Sequence, residues 1–366
     1  MSTWSPELCF GQHRGRFGGA AFFAALLAVA LARGAAPDPL PPPAPMMPAE
    51  PVTDLRQMWL LTTEMRSVPH PLRIEGRVSY YDPRWNLFWL EANGVGTYLP
   101  LSADAPRMST GQRVRIEGTL VPDKGLAADA ATVTVIKDFE PVVPLDTKGR
   151  IREIDALNCR IVAVDAYVDA QWLIDPDHLR LSMIVDDFPM IGWVKPEDPQ
   201  SIPKLQGRFV RAVGMYAGRF DPTGTESSIE LWIGRQSDLK VLGSLADYPG
   251  FELPRTPVNE IYRKPLTEEI HVRGRLQTQD PGSSMVIRDD TGQVVVHSVQ
   301  RQRILFGTEV EAVGRIASSG AQWILQSALY RPAATPVQRP VLNLGTPSVL
   351  ENVVEVRWFW AERRGV

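Results

Sequence analysis

Early in the chain, Leu72-Arg73-Ile74-Glu75-Gly76-Arg77-Val78 alternates apolar and polar residues until a glycine interrupts it. Val114-Arg115-Ile116-Glu117-Gly118-Thr119-Leu120 repeats the pattern almost residue for residue. It returns in Val210-Arg211-Ala212-Val213-Gly214-Met215-Tyr216, in Ile270-His271-Val272-Arg273-Gly274-Arg275-Leu276 and in Val310-Glu311-Ala312-Val313-Gly314-Arg315-Ile316. Ile161-Val162-Ala163-Val164-Asp165-Ala166-Tyr167 reads as a degenerate further copy, with Asp165 in the place of the glycine. Alternation with a period of two predicts half-buried strands, and a glycine inside such a strand predicts a bulge or a sharp bend. The copies come in pairs, and successive pairs lie about 100 residues apart, the size of one small domain.

Within each pair the pattern predicts a hairpin. In the first, strands at 87–91 and 97–99 flank Asn93-Gly94; in the third, 285–289 and 294–297 flank Thr291-Gly292. Dipeptides of this kind form tight turns. The second is less regular, with 179–185 and 191–194 around Asp186-Asp187. A further strand closes each unit, at 131–136, at 229–242 with a break, and at 323–329. Strand, hairpin, strand, strand predicts an all-β chain of tandem five-stranded OB-type barrels with short helical lead-ins. An immunoglobulin sandwich fits less well, since it carries more strands and a Cys–Trp–Cys core. The expected barrels span 52–142, 143–245 and 246–334, the second degenerate. Residues 335–366 read as a linker and the opening of an incomplete fourth repeat, because 350–357 echoes 258–263.

The N-terminus changes this picture by adding an address. His13, Arg14 and Arg16 precede an uncharged apolar stretch from Phe17 to Ala32, followed by small residues. That stretch suits a signal peptide better than a membrane span, which needs about 20 residues. Residues 1–36 are therefore expected to be a signal peptide or N-terminal anchor, and 37–51 a proline-rich extended spacer. A periplasmic or secreted location follows, and a membrane would be met only through that segment if it stays uncleaved.

Charge selects no partner: Lys and Arg number 39 against 42 Asp and Glu, so no net field draws in nucleic acid or an anionic membrane. Arg73, Arg77, Arg113 and Arg115 are interleaved with Glu75 and Glu117. This predicts cross-strand ion pairs on a solvated sheet and disfavours an oligonucleotide groove. Only two cysteines occur, and Cys9 precedes the export segment. An internal disulfide framework is thereby excluded and a cysteine metal cage disfavoured, and Cys159 reads as a small buried hydrophobe. The histidines His70, His178, His271 and His297 show no ligand spacing, and the Asp186-Asp187 and Asp289-Asp290 pairs fall in hairpin turns. No nucleophile elbow, phosphate loop or zinc motif is present. The expectation is a chain with no catalytic residue, no metal and no cofactor, whose partner is an envelope protein or a small ligand.

Aromatic residues carry the candidate surface. Tyr80, Tyr81, Trp85, Phe88 and Tyr98, with Leu90, gather around the first two strands of the first unit and the loop between them. In OB-type barrels that region is a common ligand face. Aligning 88 and 90 with Val286 and Arg288 of the third unit turns Phe88 and Leu90 outward and Leu87 and Trp89 inward. An outward apolar pair favours contact between repeats over binding of a small ligand.

The segment from Leu72 to Tyr81, running into Asp82-Pro83-Arg84-Trp85 and Leu87-Phe88-Trp89, resembles the extracytoplasmic sensor region of certain bacterial membrane-bound hybrid histidine kinases. That resemblance spans about 52–357 and implies tandem OB-like repeats with a sensory role. It carries no kinase activity, because neither a second apolar span nor a kinase domain follows. The sequence thus predicts a non-catalytic extracytoplasmic sensory or interaction module, with an oligonucleotide- or glycan-binding OB protein as the alternative. If export occurs as predicted, N-terminal sequencing of protein from the cell envelope begins near Arg33 or Pro37. Full-length protein recovered from the cytosol would refute it.

Overall fold

The computed structural model describes residues 50–99, 107–122, 124–198, 202–220, 226–320 and 322–333. The expected export segment and the incomplete fourth repeat lie outside the described residues. By compactness the chain forms two units, one running to Tyr248 with 299–302 added, the other holding the third barrel.

The first unit contains two sheets. In the first sheet, β1 (His70–Asp82), β2 (Leu87–Ala92), β3 (Val95–Tyr98), β4 (Arg113–Val121) and β5 (Gly125–Lys137) lie in the order β3-β2-β1-β4-β5. The second is built from β6 (Leu145–Asp146), β7 (Ile161–Asp175), β8 (His178–Val185), β9 (Phe188–Val194), β10 (Arg208–Phe220), β11 (Glu226–Ile233) and β12 (Leu239–Ser244). Its order is β12-β10-β11-β9-β8-β7-β6, and β10 also pairs with β7, which closes the ring. The second unit is a closed barrel of β13 (Glu269–Asp280), β14 (Ser284–Arg288), β15 (Gln293–His297), β17 (Gln322–Pro332) and β16 (Glu309–Ser319). In both closed rings the third strand runs parallel to the fifth, β9 with β11 and β15 with β17. A first strand between the second and fourth, with third and fifth parallel, is the OB arrangement. The first sheet keeps this order, and no pairing of β3 with β5 occurs among its described residues.

Register shows that the three are copies. Leu72 faces Gly118, Val162 faces Gly214 and Ile270 faces Gly314. Gly76, Ala166 and Gly274 face Val114, Val210 and Val310 in the same way. The residue that replaces the glycine in the degenerate copy is therefore Ala166, one position beyond Asp165. Three residues after this position each first strand bulges, at Ser79, Asp169 and Gln277.

Inward residues fill each barrel. Ile74, Val78, Val114 and Ile116 belong to the first core, Val164, Val168, Val210 and Ala212 to the second, Val272, Leu276, Val310 and Ala312 to the third. A short helical lead-in adds to each core. α1 (Leu55–Trp59) is closed by a capping box between Asp54 and Gln57 and supplies Leu55 and Met58. α2 (Thr63–Arg66) follows it without a buried residue. α3 (Ile154–Leu157) supplies Leu157 to the second core, and the 3-10 turn Val258–Arg263 supplies Ile261 to the third. Helices of one turn do not persist alone in water, so these form because their apolar residues are buried. None of the described helices is long and apolar enough to cross a membrane.

The hairpin aspartates do what a turn requires. Asn93 and Gly94 have φ of 52° and 73°, and Asp186 and Asp187 have 47° and 66°. Positive φ at both central residues defines the hairpin turn whose twist matches the flanking strands. Asp289 instead accepts hydrogen bonds from the backbone N–H groups of Thr291, Gly292 and Val258, tying the third lead-in to its barrel.

Both glycines expected at bends sit at ladder irregularities. Gly118 has φ of 152° and precedes a shift in the β4–β5 ladder, and the β16–β17 ladder shifts across Gly314. A side chain on Gly314 would put its Cβ 2.9 Å from Ala328 Cβ and 3.0 Å from the carbonyl of Gln326. Gly314→Val should therefore destabilise the third barrel by about 1–3 kcal/mol. Thermal melting with a wild-type midpoint would show that the approach is not tight.

Candidate functional site

Strand parity decides where the candidate aromatics go. With one bulge in β1 and one in β13, Trp89 pairs with Tyr80 and Leu90 with Val78, whereas Val286 pairs with Thr278 and Ile287 with Leu276. Trp89 is thus the partner of Val286 in register, and Leu90 that of Ile287. The expected orientation is inverted: Phe88 and Leu90 are fully buried in the first barrel's own core, together with Tyr81. Leu87 and Trp89 point out of that barrel into a separate cluster. A one-residue slip in alignment moves every side chain of a strand to the opposite face.

Three of the six candidates, Tyr80, Trp85 and Tyr98, lie in that separate cluster. It is a seam between the two barrels of the first unit. Tyr80, Leu87 and Trp89 come from the first barrel, Ile161, Met215, Ala217 and Trp232 from the second. The Trp232 ring lies 5.3 Å from Tyr80, 5.5 Å from Trp89 and 5.6 Å from Trp193. Trp85 meets Trp193 edge-on at 5.1 Å. A buried aromatic removes about 150–250 Å² from water, worth about 4–6 kcal/mol per ring before the cost of ordering it. Such a seam makes one body of two barrels that each have their own core.

A charged element lies within the apolar seam. His178, 1% exposed, stacks on Trp85 at 3.5 Å with the ring planes 13° apart. Its Nδ1–H donates to Asp175, with oxygens at 2.7 and 2.8 Å, and its Nε2–H donates to the buried Asp82 of the first barrel. Carboxylates only accept, so both ring nitrogens donate and the ring is an imidazolium. Burial opposes that charge, but the hydrogen bonds and charges of Asp82 and Asp175 outweigh it and raise the His178 pKa above its ordinary 6.5. Asp82 and Asp175 are held below the ordinary 3.8: burial pushes each up, and His178 is prominent among the groups that pull it down. The Tyr80 hydroxyl is driven far up, first by burial and then by the charge of Asp82. Arg84 reaches Asp177 at 2.5 Å over the rim of the same contact.

Two of the interleaved arginines pair across the β1–β4 ladder, and a third pairs beyond it. Arg115 meets Glu75 at 2.5 Å, Arg73 meets Glu117 at 3.0 Å and Arg113 meets Glu140 at 3.2 Å. Arg77 lies apart from these, nearly buried, with Glu91 3.5 Å away. Exposed pairs such as the first three contribute little to stability, about 0–1 kcal/mol each. Their effect is to balance the charge on that face of the sheet.

Trp89, Trp193, Trp232, His178, Asp82 and Asp175 were not among the residues expected at the site. A signal for part of the set is present in the sequence. β1, β7 and β13 each run into an Asp-Pro turn: Asp82-Pro83-Arg84-Trp85, Asp175-Pro176-Asp177-His178 and Asp280-Pro281-Gly282-Ser283. In the first two turns the fourth residue is a flat ring, and those two rings stack. Trp193 and Trp232 lie at outward positions, Trp232 between the core residues Leu231 and Ile233. The meeting of Asp82 with His178 spans 96 residues and has no local signal.

No protein-family profile and no curated protein matches the chain. Among solved structures it is similar to the hypothetical protein ygiW from E. coli, at 14% identity over 22% of this chain and 92% of that one, with a TM-score of 0.21. The telomere capping protein Ten1 from Saccharomyces pombe matches at 18% identity over 31% and 99%, TM-score 0.20. A murine DNA-binding protein solved with double-stranded DNA matches at 14% identity over 48% and 97%, TM-score 0.20. Scores this low carry no argument about function, and the OB assignment stands on strand order and register.

The His178 bridge sets a pH window for the first unit. The contribution of His178 is fully present below 6.5 and is lost as pH rises through its raised folded-state value. The contributions of Asp82 and Asp175 are present above 3.8 and are lost as pH falls through their lowered values. Stability from the bridge is therefore greatest between those limits. Urea midpoints should fall on the alkaline side in wild type, and His178→Gln should remove that fall. Parallel pH profiles for the two proteins would refute the bridge.

Proposed function

We propose that the chain is a non-catalytic extracytoplasmic interaction module with a sensory role, in which the first two barrels act as a single binding body. One observation supports this most directly. The only histidine of the seam has both nitrogens engaged by carboxylates and one face covered by Trp85. An imidazole with both nitrogens so engaged has none free for a substrate, and general acid–base work needs the group within hydrogen-bond reach of a reacting atom. Its chemistry is spent on holding two barrels together, which suits a protein that presents surfaces. The expected export segment would place those surfaces outside the cytoplasm.

The alternative, an oligonucleotide- or glycan-binding protein, has one observation in its favour. On the second barrel Trp172 is about half exposed, and the Arg180 guanidinium lies 5.3 Å from its ring and 6.0 Å from that of Trp193. An exposed ring beside a cation is a platform on which a base or a sugar stacks.

Affinity capture from an envelope extract with the full chain separates the two. The module reading expects a specific envelope protein retained as salt is raised. Nucleic-acid binding loses affinity by about 10³–10⁵ between about 50 and 200 mM salt when several phosphates are contacted. Capture of nucleic acid or polysaccharide that Trp172→Ala abolishes would replace the module reading with the alternative.

A further inference from the structure

Beside the aromatic seam, the two barrels of the first unit enclose a cleft of about 230 Å³. Arg77 and Ser79 of β1, Ile161 of β7, Val213 of β10 and Trp232 of β11 line it, and Phe139 from the segment after β5 forms the opposite wall. The Arg235 guanidinium lies 4.6 Å from the Phe139 ring and is paired with Asp238 at 2.9 Å, so the wall is firm and its charge is balanced.

The polar groups of this cleft are unusual. Ser79 is the bulged residue of β1, 1% exposed, and its hydroxyl has no hydrogen-bond partner in the protein. Trp232 is 2% exposed, and its indole Nε1 also has none. Buried polar groups are paired in all but a few cases, and leaving one unpaired is costly. An indole N–H can only donate, and a serine hydroxyl can donate, so each calls for an acceptor oxygen. Arg77 is nearly buried, and its carboxylate partner Glu91 is shared with Arg160, at 3.5 and 3.9 Å. Two guanidiniums against one carboxylate leave a net positive charge at that end. The rest of the lining, Phe139, Ile161, Val213 and the indole face, is apolar. Small-molecule sites have this character, mostly apolar with a few polar groups that orient the ligand.

We propose that this cleft binds a small carboxylate bearing an apolar ring or short chain, whose oxygens accept from Ser79 Oγ and Trp232 Nε1 beside Arg77. The proposal rests on the reading of the chain as a binding module and names a ligand class and a site for it. Nothing in it requires turnover, so the ligand would be sensed and released unchanged.

Calorimetric titration of the full chain with benzoate tests this, with benzylammonium as a ligand of the same shape and opposite charge. Benzoate should saturate at one per chain below about 10 mM, and benzylammonium should not bind. Ser79→Ala and Trp232→Phe should each weaken benzoate about tenfold, the loss expected for one hydrogen bond to a charged acceptor. Ser79→Ala removes a single oxygen, and an unchanged melting temperature would show that its effect is local. The proposal is overturned if benzoate does not saturate, as for a cleft that takes up only water. It is equally overturned if benzylammonium binds as well, or if neither variant weakens benzoate. Retention of an envelope partner together with failure to bind benzoate would remove the cleft and leave the module reading standing.

Discussion

A strand in a small barrel has two faces, and only one of them can fill the barrel. This constraint governs the first unit. Residues on the inner face of β1 and β2, such as Val78, Phe88 and Leu90, complete a core that each barrel must have. The bulge at Ser79 shifts the pairing, so that Tyr80, Leu87 and Trp89 fall on the outer face. An outer face of that size and apolarity cannot remain in water without driving association. It is buried against Met215, Ala217 and Trp232 of the next barrel, whose outer positions carry matching side chains. The side chains at these outer positions, not the bulge that all three repeats share, thereby determine which faces meet.

Burying aromatics provides attraction but little orientation, because apolar contact is not directional. Direction comes from the Asp82–His178–Asp175 bridge. A buried ion pair gains little net stability against a hydrophobic substitute, yet breaking one leaves an uncompensated charge and costs about 3–5 kcal/mol. Any rotation of one barrel against the other that separated Asp82 from His178 would incur that cost. The bridge therefore selects one geometry among those the apolar surfaces alone would tolerate. A fixed geometry is also what keeps a cleft beside the seam at constant shape, with the Ser79 and Trp232 donors held on its lining.

Copying a barrel does not copy its surface. The three repeats share a first strand between the second and fourth, its register with the fourth, the bulge after its glycine or alanine, and an Asp-Pro turn. They differ in what the outer positions carry: Tyr80 and Trp89 in the first, Ala170 and Ser182 in the second, Thr278 and Val286 in the third. Core positions are constrained by packing density, so they stay apolar and similar in size. Outer positions are free of that demand, and they vary from one repeat to the next.

Sequence alone determined the all-β class and the OB-type strands, the short helical lead-ins and the turn role of Asn93-Gly94 and Asp186-Asp187. Each follows from a period of two or from a backbone conformation that few residues tolerate, and both are local properties. Cross-strand pairing of Arg73 and Arg115 with Glu117 and Glu75 was legible for the same reason, since the two strands repeat one pattern in register. Orientation of 87–90 was not legible, because matching 88 and 90 to Val286 and Arg288 is one residue off the register in which Trp89 corresponds to Val286 and Leu90 to Ile287, and a one-residue slip reverses parity. Replacement of the glycine by Ala166 was off by one position for a related reason, since register is a property of two strands. Only the tertiary structure could place Trp85 against His178, Asp82 against the same ring, and Ser79 and Trp232 on the lining of one cleft. These groups are far apart in sequence, and what brings them together is the need of two apolar outer faces to leave water.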